Sequence, residues 1–184
     1  LGDVYKRQSI GVETAKMHEL TKNLKIVRQN DSSINSWRGL FDTVKDQCSR
    51  LHKDLPKLIE ENLNSVEKKW PKDLPKGIIH ADLFHDNIFF NKDKLSGIID
   101  FYFSCEDFFA FEIAICFNAL CFDGAKENLS FNVTKAKNFI DGYSSVRKLS
   151  ELEKQNIKVL SQGAALRFLL TRVFDALNLS LIHI

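Results

Sequence analysis

The stretch that decides the fold is His80-Ala81-Asp82-Leu83-Phe84-His85-Asp86-Asn87, followed by Ile98-Ile99-Asp100-Phe101. Polar residues stand here between apolar segments, where a packed core does not take them without a use, because an unpaired buried polar group is costly. Asn87-Ile88-Phe89-Phe90 and residues 95–101 read as two strands, and Asn91-Lys92-Asp93-Lys94 as the loop of their hairpin. Pairing that hairpin brings Asn87 and Asp100 close. One carboxylate and one amide oxygen suit Mg2+, a hard ion that keeps waters and takes phosphate oxygens as its other ligands. Asp82 is then free to accept a proton from a hydroxyl. Each residue also has a plainer reading: Asp82 as a turn or helix cap, Asn87 as an Asx-turn residue, Asp100 as a solvent-facing strand end. The three at this spacing, together with His80, favour chemistry over coincidence.

Outward from the loop, the pattern is helical on both sides. Residues 11–22 read as a helix with Val12, Ala15 and Leu20 on one face. Ser36 can cap a helix that carries Trp37, Leu40, Phe41, Val44, Cys48 and Leu51 at helical spacing. A third helix follows Pro56, with Leu58, Ile59, Leu63, Val66 and Trp70 on one side, and Pro71 and Pro75 end it. After the hairpin, residues 108–122 are apolar almost all round, the mark of a buried helix. Residues 134–143 read as another helix. Ser150 and Glu153 form a capping box at the start of a helix or helix pair reaching Asn178. The fold class is α+β, mostly α, with no internal repeat and no interdomain linker.

Composition agrees with one globular core. The chain has 184 residues, 44% hydrophobic and 27% charged, with 15 Phe. Lys+Arg 26 against Asp+Glu 24 leaves a net charge of +2, which points to neither nucleic acid nor an acidic membrane. No apolar run reaches the about 18 residues of a membrane span. Cys48, Cys105, Cys116 and Cys121 sit in apolar surroundings without paired metal spacing, so buried free thiols of a cytoplasmic protein are favoured over a zinc site.

The spacing Asp-x-x-x-x-Asn, then a strand Asp, is that of kinase catalytic and metal loops. His80-Ala81-Asp82 stands where protein kinases carry His-Arg-Asp, and Ile99-Asp100-Phe101-Tyr102 replaces Asp-Phe-Gly. This variant resembles the aminoglycoside phosphotransferase and choline kinase group of small-molecule kinases. Gly77 to Phe90 (GIIHADLFHDNIFF), Leu95 to Cys105 (LSGIIDFYFSC), Ala114 to Phe122 (AICFNALCF), Phe131 to Lys135 and Gly163 to Arg172 (GAALRFLLTR) resemble its homoserine kinase branch, over nearly all of residues 11–178. The resemblance implies the C-terminal lobe of a protein kinase-like fold and phosphoryl transfer from ATP, with Mg2+, to the hydroxyl of L-homoserine in threonine biosynthesis. It implies Asp82 as the catalytic base, with His80 fixing the loop beneath it, and Asn87 and Asp100 as the pair that holds Mg2+ and, through it, ATP.

By the same resemblance Glu112, where the group usually carries Asp, is a structural anion near a helix N-terminus. His85 stands where proline is frequent. The Gly-rich loop and strand lysine of the family's N-terminal lobe have no counterpart before residue 11, so the expectation is a truncated lobe. Rival readings are a kinase for choline, an aminoglycoside or a sugar amine, or an inactive binding fragment. His18 and His52 read as helix-surface residues. Arg167 and Arg172 lie on an apolar helix, where they snorkel or pair with a carboxylate such as Asp175, or where one meets the substrate carboxylate.

The two ends carry their own signal. Asp3-Val4-Tyr5-Lys6-Arg7-Gln8 can be written GAT GTG TAT AAG AGA CAG, whose reverse complement translates as Leu-Ser-Leu-Ile-His-Ile, the residues 179–184. The string resembles the transposon end left by tagmentation. Residues 1–8 and 179–184 are therefore expected to be translated adapter making few core contacts, with 9–178 as the kinase-like lobe. Leu1 to Gln8 also lacks the apolar stretch of a signal peptide.

Overall fold

The computed structural model describes residues 2–24, 28–125 and 128–178, which form six α-helices and three two-stranded antiparallel sheets. The first helices are α1 (Gly2–Thr21), α2 (Ile34–Val44) and α3 (Leu55–Lys69). Pro56 enters α3 in its first turn, where its missing N–H has no intrahelical partner to lose. The N-cap of α2 is Ser33, not Ser36; the Ser36 hydroxyl instead donates back to the Ser33 carbonyl at 2.8 Å. The helical pattern expected to run on to Leu51 gives way after Val44 to a 3-10 segment, Lys45–Arg50, which keeps Cys48 buried and leaves Leu51 exposed.

The central strands are β1 (Lys76–Ile79), β2 (Ile88–Asn91), β3 (Lys94–Ile98) and β4 (Cys105–Phe108). The expected hairpin is present as β2–β3, with Ile88 opposite Ile98 and Asn91 opposite Lys94, and a bulge between Phe89 and Phe90. Strand β3 stops at Ile98, so Asp100 lies beyond it rather than inside the strand. β4 was not expected; it pairs with β1, Ile79 facing Cys105 and Gly77 facing Asp107. A short pair, β5 (Phe122–Asp123) and β6 (Ser130–Phe131), follows α4 (Phe109–Leu120).

The last helices are α5 (Val133–Val146) and α6 (Glu151–Asn178), and α6 is one continuous helix. Its capping box forms as read: the Glu153 backbone N–H donates to Ser150 Oγ at 3.2 Å, and the Ser150 N–H to Glu153 Oε2 at 2.9 Å. None of the helices among the described residues is long and apolar enough to cross a membrane.

Helix α4 is buried on nearly every side because it serves two cores. On one side Trp37, Phe41, Leu63, Phe111 and Leu160 join α2, α3, α4 and α6. Trp70 meets Trp37 edge-on at 5.2 Å and Phe111 at 5.5 Å, and a Cβ at Gly163 would run into the Trp70 ring. On the other side Ile10, Leu83, Ile113, Phe139 and Tyr143 join α1 and α5 to α4. Helices α1 and α5 cross closely: a Cβ at Gly11 would collide with the Phe139 carbonyl, and one at Gly142 with the Gln8 carbonyl.

That crossing corrects two readings of α1. Its buried face carries Ile10, Gly11, Thr14, Ala15 and His18, while Leu20 is exposed. His18 is not a surface residue: it is fully buried, Nδ1 lies 2.7 Å from the Tyr143 hydroxyl, and the ring stacks on Phe109. Of residues 1–8, expected to make few contacts, Arg7 is buried and its Nε donates to the Leu120 carbonyl at 2.9 Å. Residues 179–184 lie outside the described residues.

Candidate active site

The loop 80–87 leaves β1 and returns as β2, and buried groups fix it from beneath. His80 is fully buried. The Asp82 N–H donates to His80 Nδ1 at 3.3 Å, which leaves Nε2–H to donate to the Ile99 carbonyl at 2.8 Å, so one neutral tautomer satisfies both ring nitrogens. Its ring also meets Phe101 at 4.7 Å. The histidine thereby ties the loop to the exit of β3.

Glu112, in the first turn of α4, accepts from the backbone N–H groups of both His80 and Ala81, the latter at 3.2 Å. Complete burial pushes its carboxyl up to about 7, against the two N–H donors that favour the anion. Ala81 takes the left-handed conformation at φ 65°, and Arg167 Nη1 donates to its carbonyl at 2.6 Å. A non-glycine residue held there marks backbone that its surroundings over-determine, as functional loops commonly are. Arg167 is buried and reaches this carbonyl rather than Asp175.

Asp82 is half-buried at the top of the loop. The Asn87 amide nitrogen donates to the Asp82 carbonyl at 2.8 Å and to its carboxylate at 3.3 Å. Burial raises the Asp82 carboxyl above its ordinary range, the Arg167 charge opposes the rise, and Asp100 and Asp86 add to it. Asp100 is exposed, at φ 62°, one residue beyond Ile99, whose N–H donates to the Asn87 carbonyl at 3.1 Å. The structure therefore joins His80, Asp82 and Asn87 directly by hydrogen bonds and carries Asp100 to the same end of the hairpin through Ile99.

Asn87 and Asp100 are hard oxygen donors of the kind Mg2+ takes with phosphate and water completing its shell. Among the described residues no group of three or more His, Cys, Asp and Glu side chains is placed to hold a metal ion. Phe89, Ile99, Phe101, Tyr102 and Phe103 are exposed around the same end of the hairpin. A cavity of about 890 Å³ lies instead at the far end of β1 and β4, lined by Trp70, Lys76, Glu106 and their neighbours.

Two features of the site carry no sequence signal read above. The segment before α2 runs beside β4, Gln29 bridging Glu106 in parallel and the Glu106 N–H donating to the Arg28 carbonyl at 2.7 Å. Asn30 Nδ2 donates to Asp107 at 2.5 Å. β4 itself, four residues without alternation, does not stand out as a strand.

Comparison with known proteins gives this geometry a family. The profile of the phosphotransferase enzyme family matches residues 8–149. The chain is 46% identical over 169 residues to a homoserine kinase of Rhodospirillum rubrum, covering 92% of this chain and 52% of that protein. It is 45% identical over 173 residues to one of Agrobacterium fabrum, with 93% and 52% covered. The chain thus spans about half the length of the curated relatives it matches. Among solved structures, an amicoumacin kinase in complex with AMP-PNP, Ca2+ and Ami superposes with a TM-score of 0.64 at 15% identity, covering 94% of this chain and 51% of the other. A choline kinase from Cryptosporidium parvum superposes at 0.63 and 16% identity, with 91% and 59% covered. The fold is the helical C-terminal lobe of these kinase-like proteins, and with its profile match over most of its length the chain belongs to the phosphotransferase enzyme family.

Proposed function

We propose that this chain is part of an ATP-dependent homoserine kinase, the part that carries the catalytic loop. The observation that supports this most is the loop itself: Asp82 held by His80 from below and by Asn87 from the side, with Asp100 beside them. In this reading the acceptor hydroxyl lies against the Asp82 carboxylate. Its oxygen forms the new bond to the γ-phosphorus of ATP, the bond to the departing ADP oxygen breaks, and the hydroxyl proton passes to Asp82. Asn87, through its amide oxygen, and Asp100 hold Mg2+, which when bound neutralises phosphate charge. Asn87 has a second part, because its amide nitrogen orients Asp82. His80 and Glu112 keep the loop in its left-handed turn.

The substrate assignment to L-homoserine rests on the names of the relatives above. The cytoplasm is the proposed compartment, in keeping with four free cysteines buried in the fold. The chain alone, half the length of those relatives, is expected to show no measurable kinase activity, since positioning is most of this catalysis. The test is turnover by the full-length protein that contains this chain, with ATP, Mg2+ and a panel of L-homoserine, choline and an aminoglycoside. Phosphorylation of homoserine in clear preference is expected. A preference for either cation in its place would sink the homoserine assignment while keeping the kinase.

A further inference from the structure

Arg167 is 5% exposed, yet among the described residues its guanidinium meets only the Ala81 carbonyl, to which it donates, and the Phe168 ring at 4.7 Å, with no ion pair. A guanidinium carries five N–H donors, and buried charges are ordinarily paired. The carboxyl groups of Asp82, Glu112 and Asp107 act on it at longer range. Beyond the Ala81 bond, Arg167 lines a small cavity shared with Arg28, Asn30, Asp31, Ser32 and Cys105. Its volume is about 10 Å³, room for one water-sized group such as a carboxylate oxygen and not for a whole substrate.

Arg28 is held at this place by backbone. Its carbonyl accepts from the Glu106 N–H, and its guanidinium donates to the Tyr102 carbonyl, with the Asp31 carboxylate 3.6 Å away on the solvent side. Arg28 and Arg167 thus line one cavity, together with Asp31, whose carboxylate is exposed. Arg167 links the cavity to the loop of the proposed base, since it also donates to the carbonyl of Ala81, the residue before Asp82.

We propose that Arg167 and Arg28 form a carboxylate subsite for the acceptor, so that a hydroxy acid binds with its carboxylate in this cavity and its hydroxyl at Asp82. This rests on the kinase reading above and adds to it the residues that select the acceptor. Choline and aminoglycosides, which are cations, find no partner between two arginines. Helix α6 lies outside the residues matched by the family profile, and in this assignment it contributes a specificity residue to the site.

Titration calorimetry on the full-length protein, without nucleotide, tests the subsite apart from turnover. The probes are L-homoserine and its neutral carboxamide. Homoserine should bind at least about tenfold tighter, as a charge-assisted pair lost to a neutral amide requires. Arg28→Gln and Arg167→Met should each weaken homoserine by about tenfold and leave the carboxamide within about twofold. Arg167→Met also removes the Ala81 contact, so the surface variant Arg28→Gln decides the matter if the other fails to fold. Equal binding of the two probes by the unaltered protein, no binding of either, or a preference that survives Arg28→Gln would overturn the subsite. Turnover of choline in place of homoserine would count against the acceptor assignment and leaves the calorimetric comparison to stand or fall by itself.

Discussion

Among the described residues two histidines are buried, and they are treated differently. His80, beneath the loop 80–87 of the proposed active site, has both ring nitrogens hydrogen-bonded, one to the Ile99 carbonyl and one to the Asp82 N–H. His18, between α1 and α5, has Nδ1 bonded to Tyr143 while Nε2 is buried with no hydrogen-bond partner. Around His18 the Arg147 side chain lies over Phe109, bonds the Tyr143 hydroxyl at 3.2 Å and pairs with the buried Glu153 at 2.9 Å. That cluster is sealed, whereas the one at His80 opens onto Asp82. Complete pairing is found where a loop must keep one geometry. Incomplete pairing is tolerated where the group only fills a helix interface, and there the cost falls on stability.

The largest expected difference between the two regions is catalytic. In the full-length protein Asp82→Asn keeps the shape and removes the proton acceptor, so kcat should fall by roughly 10²–10⁴ with ATP affinity nearly unchanged. Asp100→Asn should instead weaken Mg·ATP binding along with kcat, and excess Mg2+ should restore part of it. A Mg2+ titration of both variants with homoserine saturating separates them. If Asp82→Asn is the one that metal rescues, the two roles are exchanged.

Stability comes next. Glu112→Leu leaves the buried N–H groups of His80 and Ala81 without their acceptor and should cost roughly 3 kcal/mol, read from urea unfolding. A loss near zero would mean that the loop is held by other groups.

The pH dependence of stability sharpens the contrast further. Burial first, and the Arg147 charge second, push His18 down from 6.5 to about 3. Between those values the unfolded chain binds the extra proton, so this histidine makes the protein less stable as pH falls from 6.5 toward 3. Glu112 works with the opposite sign: its carboxyl is raised from 4.5 to about 7, so the folded state binds the extra proton and stability is lost as pH rises through that window. The two oppose each other between pH 4.5 and 6.5. His18→Leu should therefore flatten the acid limb below pH 4.5 while Glu112→Gln flattens the limb toward pH 7. Unfolding midpoints measured from pH 3.5 to 8, about the range these groups span, check both signs. An unchanged acid limb in His18→Leu would show that this histidine is not the group protonated on unfolding.

The smallest effect lies in the capping box that feeds the sealed cluster. Ser150→Ala should lower stability by about 1 kcal/mol and leave kcat alone. Ser33→Ala should change little, since the Ser33 side chain makes no cap hydrogen bond. Thermal unfolding of the pair measures the difference directly.

The catalytic loop was legible in the sequence because its residues are local: His80, Asp82 and Asn87 lie within eight positions, and Asp100 follows through one hairpin. The helices were legible wherever one face was apolar and unbroken, as in α3 and α4. The misread places share a cause, which is a partner far away in the chain. His18 looks like a surface group until Tyr143 is brought to it by two glycines that let α1 and α5 touch. Arg167 looks like a group paired along its own helix until Ala81, in the left-handed turn, presents a carbonyl to it. The strand β4 shows no alternation, because Cys105 is buried and the three residues after it are all half-buried. Nothing in residues 28–30 by themselves announces that they run along it.

The crossing of α1 and α5 has a consequence for how the chain is made. Gly11 leaves the ribosome well over a hundred residues before Gly142. At ordinary rates of synthesis that interval is on the order of ten seconds. Throughout it, Ile10 and Ala15 have no α5 to cover them, and α4 emerges with neither core complete, since one awaits α5 and the other α6. The nascent chain therefore passes through a stage in which both sides of α4 stand open, and closure waits for the last two helices rather than for the ones already made.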